Sequence, residues 1–176
     1  MTTSLSSQAT PVVSADLIAG FKAGMQRLAA APCVLTTQHG DRRYGLTASA
    51  VCSLTADPPT LIACVNESAE AFGAIDASGR VCINVLAADQ VEIAKRFAGM
   101  LGHRGEARFE GLEWEFLVSG APVLRGVLAA FDCTIAERIR WSTHTAFICR
   151  VEAAIVGEAG DPLVYANRQF QRAAPL

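Results

Sequence analysis

Gly45-Leu-Thr-Ala-Ser-Ala-Val-Cys-Ser-Leu-Thr-Ala-Asp-Pro-Pro-Thr-Leu61 is the stretch on which the fold turns. From Tyr44 to Thr55 the residues alternate. Tyr44, Leu46, Ala48, Ala50, Cys52 and Leu54 fall on one side, Thr47, Ser49, Ser53 and Thr55 on the other. A period of two marks an extended strand with one covered face. Asp57-Pro58-Pro59 then makes a turn, and Thr60–Val65 follows as a continuous apolar strand. The first half of the stretch is built from small residues. They let a large planar ligand approach the backbone, where hydroxyls and main-chain amides can bond its polar edge. They would equally suit a strand packed on a helix or on another subunit.

Outward from this stretch the period changes. Upstream, Leu17, Ile18, Phe21, Met25 and Leu28 recur at helical spacing, which predicts a helix over Ser14–Ala30, capped by Ser14 and ended by Pro32. Cys33–Gln38 reads as a strand and His39-Gly40-Asp41 as a turn. Downstream, Ser68–Ala77 reads as a short helix closed by Gly79, and Arg80–Leu86 as an apolar strand. Asp89–Ala98 has the signature of a helix: Asp89 as cap, Glu92 as its capping-box partner, Gly99 at the exit. Residues 99–119 are glycine-rich and charged, hence mostly loop. Pro122–Leu128 leads into a long strand over Ala129–Arg140, followed by His144–Val156 and a short Leu163–Ala166. Strands outnumber helices and most joins are short turns. The chain is therefore expected to be mainly β, an antiparallel barrel with peripheral helices.

A length of 176 residues makes one domain. Residues 1–12 begin Ser/Thr-rich and read as a disordered leader, 13–176 as the domain. With 51% hydrophobic and only 18% charged residues, part of the apolar surface is expected to lie between subunits or under a cofactor. A net charge of −2 without a basic block argues against nucleic acid as the main partner. The apolar runs fall well short of the ~18 residues of a membrane-spanning helix, and the first ten residues lack an export signal. The six cysteines form no C-x-x-C pair and have no histidine at zinc-like spacing, so no metal is expected. Most sit in apolar runs, as buried free thiols of a reducing compartment do, and the expected location is cytoplasmic.

Phosphate-loop, dinucleotide-fold, metalloprotease and nucleophile-elbow motifs do not occur. Gly99-Met-Leu-Gly102-His-Arg-Gly105 follows a helix and reads as a flexible loop. If Ser68 opens a helix, Asn66-Glu67-Ser68 could make an anion site for a phosphate; it could equally be ordinary capping. His144, between two strands, could contact a nicotinamide or relay a proton, or be a turn residue bonded to backbone. Arg42, Arg43, Arg104 and Arg108 read either as a 2′-phosphate site or as solvated loop charges.

Three segments together resemble the flavin reductase-like, FMN-binding split-barrel family: Gly45–Leu61, Val81-Cys-Ile-Asn-Val-Leu86, and Trp141-Ser-Thr-His144 with Phe147-Ile-Cys-Arg-Val-Glu152. The resemblance spans about residues 15 to 170, and is nearest to the reductase components of two-component aromatic hydroxylases. It implies a six-stranded antiparallel split barrel and a homodimer with FMN or FAD in a groove at its interface. NADH or NADPH would be the co-substrate. Thr47, Ala48 and Ser49 would flank the isoalloxazine ring. Ser53, Ala63 and Cys64 would line ring and ribityl chain, and Asn66 and Ser68 would hold the phosphate. Asn84 would lie near the flavin, with Lys95 and Phe97 around the phosphate or adenine end. His144 would meet the nicotinamide, and Phe170 would stand where relatives carry a stacking tyrosine. The implied activity is NAD(P)H:flavin oxidoreduction, supplying reduced flavin to a partner monooxygenase. The chain departs from the family's C-terminal Tyr-His pattern, with Gln171 in place of the histidine. Two alternatives follow: a flavin-bound corrinoid reductase, and a non-catalytic flavin-binding module.

Overall fold

The computed structural model describes residues 14–173; the expected leader lies outside them. The elements in chain order are helix α1 (Ala15–Met25), strands β1 (Cys33–His39), β2 (Arg42–Ala48), β3 (Val51–Ala56) and β4 (Pro59–Asn66), helix α2 (Phe72–Ser78), strand β5 (Arg80–Val85) and helix α3 (Val91–Phe97). Strands β6 (Trp114–Phe116), β7 (Pro122–Leu124), β8 (Ala129–Trp141), β9 (His144–Val156), β10 (Leu163–Ala166) and β11 (Gln169–Arg172) follow. The main sheet is antiparallel and runs β2-β1-β5-β8-β9-β4-β3, with β6-β7 and β10-β11 as separate two-stranded ribbons.

The sheet has seven strands where six were expected, because the run from Tyr44 to Thr55 is two strands. The ladder of β2 on β1 stops at Ala48, and that of β3 on β4 starts at Val51. β2 and β3 are the opposite edges of the sheet, yet only Ser49 and Ala50 join them. Three virtual bonds span at most about 11 Å, so the sheet must curl until its edges adjoin. The step also changes which residues face inward. Tyr44, Leu46 and Ala48 pack against the interior, then Val51 does. Cys52 and Leu54, expected on the covered face, are exposed instead.

Two apolar clusters lie on the two sides of this wall. Leu35, Ile75, Val81, Ile83 and Phe147 fill the inside, with α2 closing it. Val34, Cys82, Phe97, Phe109 and Leu124 form the outer cluster, beneath α3 and the β6–β7 ribbon. β1 and β5 are covered on both faces, which is why Cys33–Leu35 and Val81–Ile83 read as unbroken apolar runs.

Several element boundaries differ from expectation. α1 is shorter, though Ser14 caps it, its Oγ accepting from Leu17 N–H at 3.2 Å. α2 begins at Phe72, four residues after Ser68, and ends at Gly79 with φ 67° as read. The third helix opens as a 3-10 turn over Ala88–Gln90. Gln90 Oε1, rather than Asp89, satisfies the free amide of Ala87 at 2.9 Å. The glycine-rich segment holds a 3-10 turn at Gly105–Arg108 and the strand β6. No helix of the described residues is long and apolar enough to cross a membrane.

Candidate functional site

Where the edges of the sheet adjoin there is a groove of about 410 Å³, within the usual size of small-ligand sites. Its lip is the Thr47–Ala50 step, its far wall Cys64 and Asn66 of β4, and its mouth His144. Thr47 Oγ1 donates to Ala94 C=O at 2.8 Å, fixing β2 to α3. Gly45 lets α3 come this close, since a Cβ there would lie 2.7 Å from the buried Phe97 ring. Phe97 is itself held edge-on to Phe109, with ring centroids 5.1 Å apart.

His144 opens β9 after a two-residue turn, in which Ser142 takes a positive φ of 53°. The ladder sets it directly opposite Asn66. Its Nδ1 lies 2.9 Å from Thr143 Oγ1, while Nε2 has no hydrogen-bond partner among the described residues. The Ser49 hydroxyl and the Asn66 amide nitrogen are likewise free to bond a ligand.

The structure brings together Thr47, Ala48, Ser49, Cys64, Asn66, Phe97 and His144. It places the other expected site residues elsewhere. Ala63 is 1% exposed and faces the interior, because neighbours on a strand point to opposite faces and only Cys64 can face the groove. Asn84 is fully buried. Its Nδ2 donates to Val34 C=O at 2.9 Å and to Thr36 Oγ1 at 3.2 Å, and its Oδ1 accepts from Leu124 N–H at 2.8 Å. Its polar atoms are thus committed to tying β1, β5 and β7 together. Ser68 caps no helix. Its N–H and Oγ both donate to Asn66 Oδ1, at 2.9 and 2.8 Å, so its donors are turned inward. Lys95 pairs with Glu92 at 2.8 Å. Ser53 lies on the exposed edge strand β3, and Phe170 packs on Tyr165 with centroids 4.9 Å apart.

Sequence reasoning missed Glu70 as a lining residue and read Arg108 either as part of a 2′-phosphate site or as a loop charge; both line the groove. Loop residues carry no periodicity that could have pointed to them. A larger hollow of about 680 Å³ is bounded by Asp161, Arg172, Glu115 and Arg125, among others. These charges pair with one another, Arg172 with Asp161 at 2.7 Å and Arg125 with Glu115 at 3.4 Å, so the smaller groove is the better-equipped site.

The groove's donor set suits a flavin: small residues for a flat ring, free donors for a carbonyl edge, and a guanidinium for a phosphate. Comparison with known proteins agrees. The flavin reductase like domain matches residues 25–174. The 4-hydroxyphenylacetate 3-monooxygenase reductase component of Pseudomonas aeruginosa is 41% identical over 152 residues, covering 86% of this chain and 89% of that protein. An FMN reductase (NADH), RutF, from Ancylobacter novellus is 38% identical over 154 residues, covering 88% and 84%. Among solved structures, a flavin reductase domain protein from Arthrobacter superposes with a TM-score of 0.82 at 30% identity, covering 90% of this chain and 97% of that one. BorF, the flavin reductase component of a bacterial two-component tryptophan halogenase, does so with 0.81 at 29%, covering 90% and 99%. With the domain match covering nearly all of the described residues, the chain belongs to the flavin reductase-like family.

Proposed function

We propose that the groove binds the isoalloxazine ring of FMN or FAD against the Thr47–Ala50 step, and that His144 meets the nicotinamide of the reductant. The chain is an NAD(P)H:flavin oxidoreductase, with NADH as a co-substrate. The observation that carries the residue roles is the convergence of Ser49, Cys64, Asn66 and His144, from two strands and a connection, on one groove. Flavin, when bound, supplies the hydride-accepting chemistry. The protein binds and orients. The Ser49 hydroxyl donates to the polar edge of the ring, where negative charge develops on reduction. Phe97, locked by Phe109 and Gly45, keeps the inner wall dry and rigid. His144 Nε2, free and at the mouth, holds the incoming carboxamide.

Replacing His144 with alanine is expected to slow hydride transfer from NADH about tenfold, the worth of one positioning hydrogen bond, with flavin affinity unchanged. Anaerobic stopped-flow reduction beside a flavin titration measures both; an unaltered rate would remove His144 from the reaction. The overall reading is tested by adding NADH anaerobically to catalytic protein with excess FMN. Many turnovers per protein are expected, with reduced flavin released to a separate oxygenase. A single bleaching of bound flavin would point instead to a dedicated acceptor such as a corrinoid, and none to a binding module.

A second copy of the chain completes the site in this proposal. No residue of α1 is buried, and it presents Leu17, Phe21 and Met25 to solvent, with Leu28 exposed just beyond its end. An apolar hollow of about 690 Å³ between α1 and Tyr165 reaches Ser49 and Ala50, the same residues that form the groove's lip. Burying such a face between copies is strongly favourable. Sedimentation is expected to give twice the chain mass, and Phe21→Glu to shift it to one; a monomeric parent would overturn the proposal. Six free thiols are consistent with a cytoplasmic location.

A further inference from the structure

Arg108 is the one lysine or arginine among the described residues that line the groove, and it is already engaged. Its Nη1 donates to Gly45 C=O at 2.9 Å and its Nε to His103 C=O at 3.2 Å. Its Nη2 lies 3.4 Å from Glu70 Oε2. The cation is held rigidly. The turn that carries it is pinned to β2 by Arg43, which donates to Glu106 Oε2 from Nε at 3.0 Å and from Nη2 at 2.7 Å, and from its backbone N–H to Oε1 at 2.6 Å. Burial alone would raise the Glu106 carboxyl, but these bonds outweigh it and hold it below its ordinary value. Glu70 is not held in this way. Its side chain is 45% exposed against 13% for Arg108, and the Arg108 contact is its one ion pair among the described residues. It sits in the turn before α2, beside the cleft at Gly105.

A fixed, nearly buried guanidinium facing a half-exposed internal carboxylate, both in the wall of a ligand groove, is an anion site occupied by the protein's own anion. We propose that Arg108 is the phosphate-recognising residue of the groove and that Glu70 competes with the flavin phosphate for it. This rests on the flavin reading above. Ser68, the residue expected to hold the phosphate, has its donors turned onto Asn66, whereas Arg108 offers the planar fork that binds phosphate well. A phosphate dianion must displace Glu70 to reach Arg108, and the displaced carboxylate stays close enough to repel it. Flavin is thereby kept exchangeable, as a substrate that leaves after reduction must be.

The test is equilibrium binding of FMN and of riboflavin, which lacks the phosphate, to the full-length chain and to its Glu70→Gln and Arg108→Gln variants, by flavin fluorescence quenching. For the parent, riboflavin is expected to bind. Glu70→Gln is expected to tighten FMN about fivefold, the worth of a partly exposed ion pair, and to leave riboflavin unchanged. Arg108→Gln is expected to erase the preference for FMN over riboflavin. Thermal melts report whether each variant is folded, and Glu70→Gln, at an exposed turn, serves if Arg108→Gln does not fold. If neither flavin binds the parent, the flavin reading fails. If both bind but Glu70→Gln shifts them equally or not at all, this inference alone is overturned. A tightening seen for NADPH over NADH but not for FMN over riboflavin would also overturn it, assigning the site to the nicotinamide 2′-phosphate.

Discussion

Raising the pH from 8 to 10 is expected to lower the unfolding free energy of this protein by several kcal/mol, about 1 kcal/mol for each of four buried thiols. Burial pushes the Cys33 thiol up to about 11 and the Cys149 thiol up to about 12, from an ordinary 9.0. It also raises Cys82 and Cys133, to which neighbouring Asp132 adds repulsion of a second negative charge. Below pH 9 the thiol protons are bound in both folded and unfolded chains, and the stability they confer is complete. Above pH 9 the unfolded chain releases them while the folded chain retains them, so stability falls with rising pH until the folded thiols themselves ionise, from about pH 11 for Cys33. Urea midpoints measured every half unit from pH 7.5 to 10.5 under reducing conditions give the slope. A Cys33→Ala, Cys149→Ala chain should show a visibly shallower decline. An equally steep decline in that chain would assign the effect to other groups.

Replacing Asn84 with leucine is expected to cost about 3 kcal/mol of stability while leaving flavin affinity as it was. The two side chains are similar in volume, so the loss comes from hydrogen bonds rather than from a cavity. Leu124 N–H and Val34 C=O would each lose a buried partner, at about 1–3 kcal/mol for every orphaned group. Chemical denaturation measures the stability, and hydrogen exchange at the Leu124 amide should show the β6–β7 ribbon loosening first. A loss below 1 kcal/mol would mean that the cross-link matters little. A lost flavin affinity in a well-folded variant would return Asn84 to the site from which its burial removes it.

β9 and β10 were legible from the sequence to the residue, and β1 to within one. Pro32 and Gly40 flank β1, Gly157 follows β9 and Pro162 precedes β10, so chain-breaking residues marked these ends. The mainly β antiparallel architecture followed from the same signals. The break at Ser49-Ala50 was not legible, because polar and apolar residues keep alternating across it while the backbone moves to another edge and reverses its inward face. Ala63 and Asn84 lie in the expected strands, but which face of a strand meets a ligand depends on what packs outside it. Ser68 illustrates a local competition: one hydroxyl can cap a helix or close a turn on Asn66, and only the chain beyond it decides. Thr47, Ser49, Cys64, Asn66 and His144 were legible as a set through their family resemblance, while Glu70 and Arg108 are brought to the groove by turns.

The two-residue step between β2 and β3 leaves this wall with a seam: one point at which its two edge strands are tethered end to end by the chain but not laced by a ladder. Everywhere else the spacing between strands is set near 4.8 Å by hydrogen bonds. At the seam it is set by two small residues and by whatever lodges there. Ala48 before it and Val51 after it anchor into the inner cluster, so Ser49 and Ala50 are the residues there that can change without touching the core. A scaffold of this kind can exchange one flat ligand for another by altering a few residues along the seam, and its folding core need not take part in the exchange.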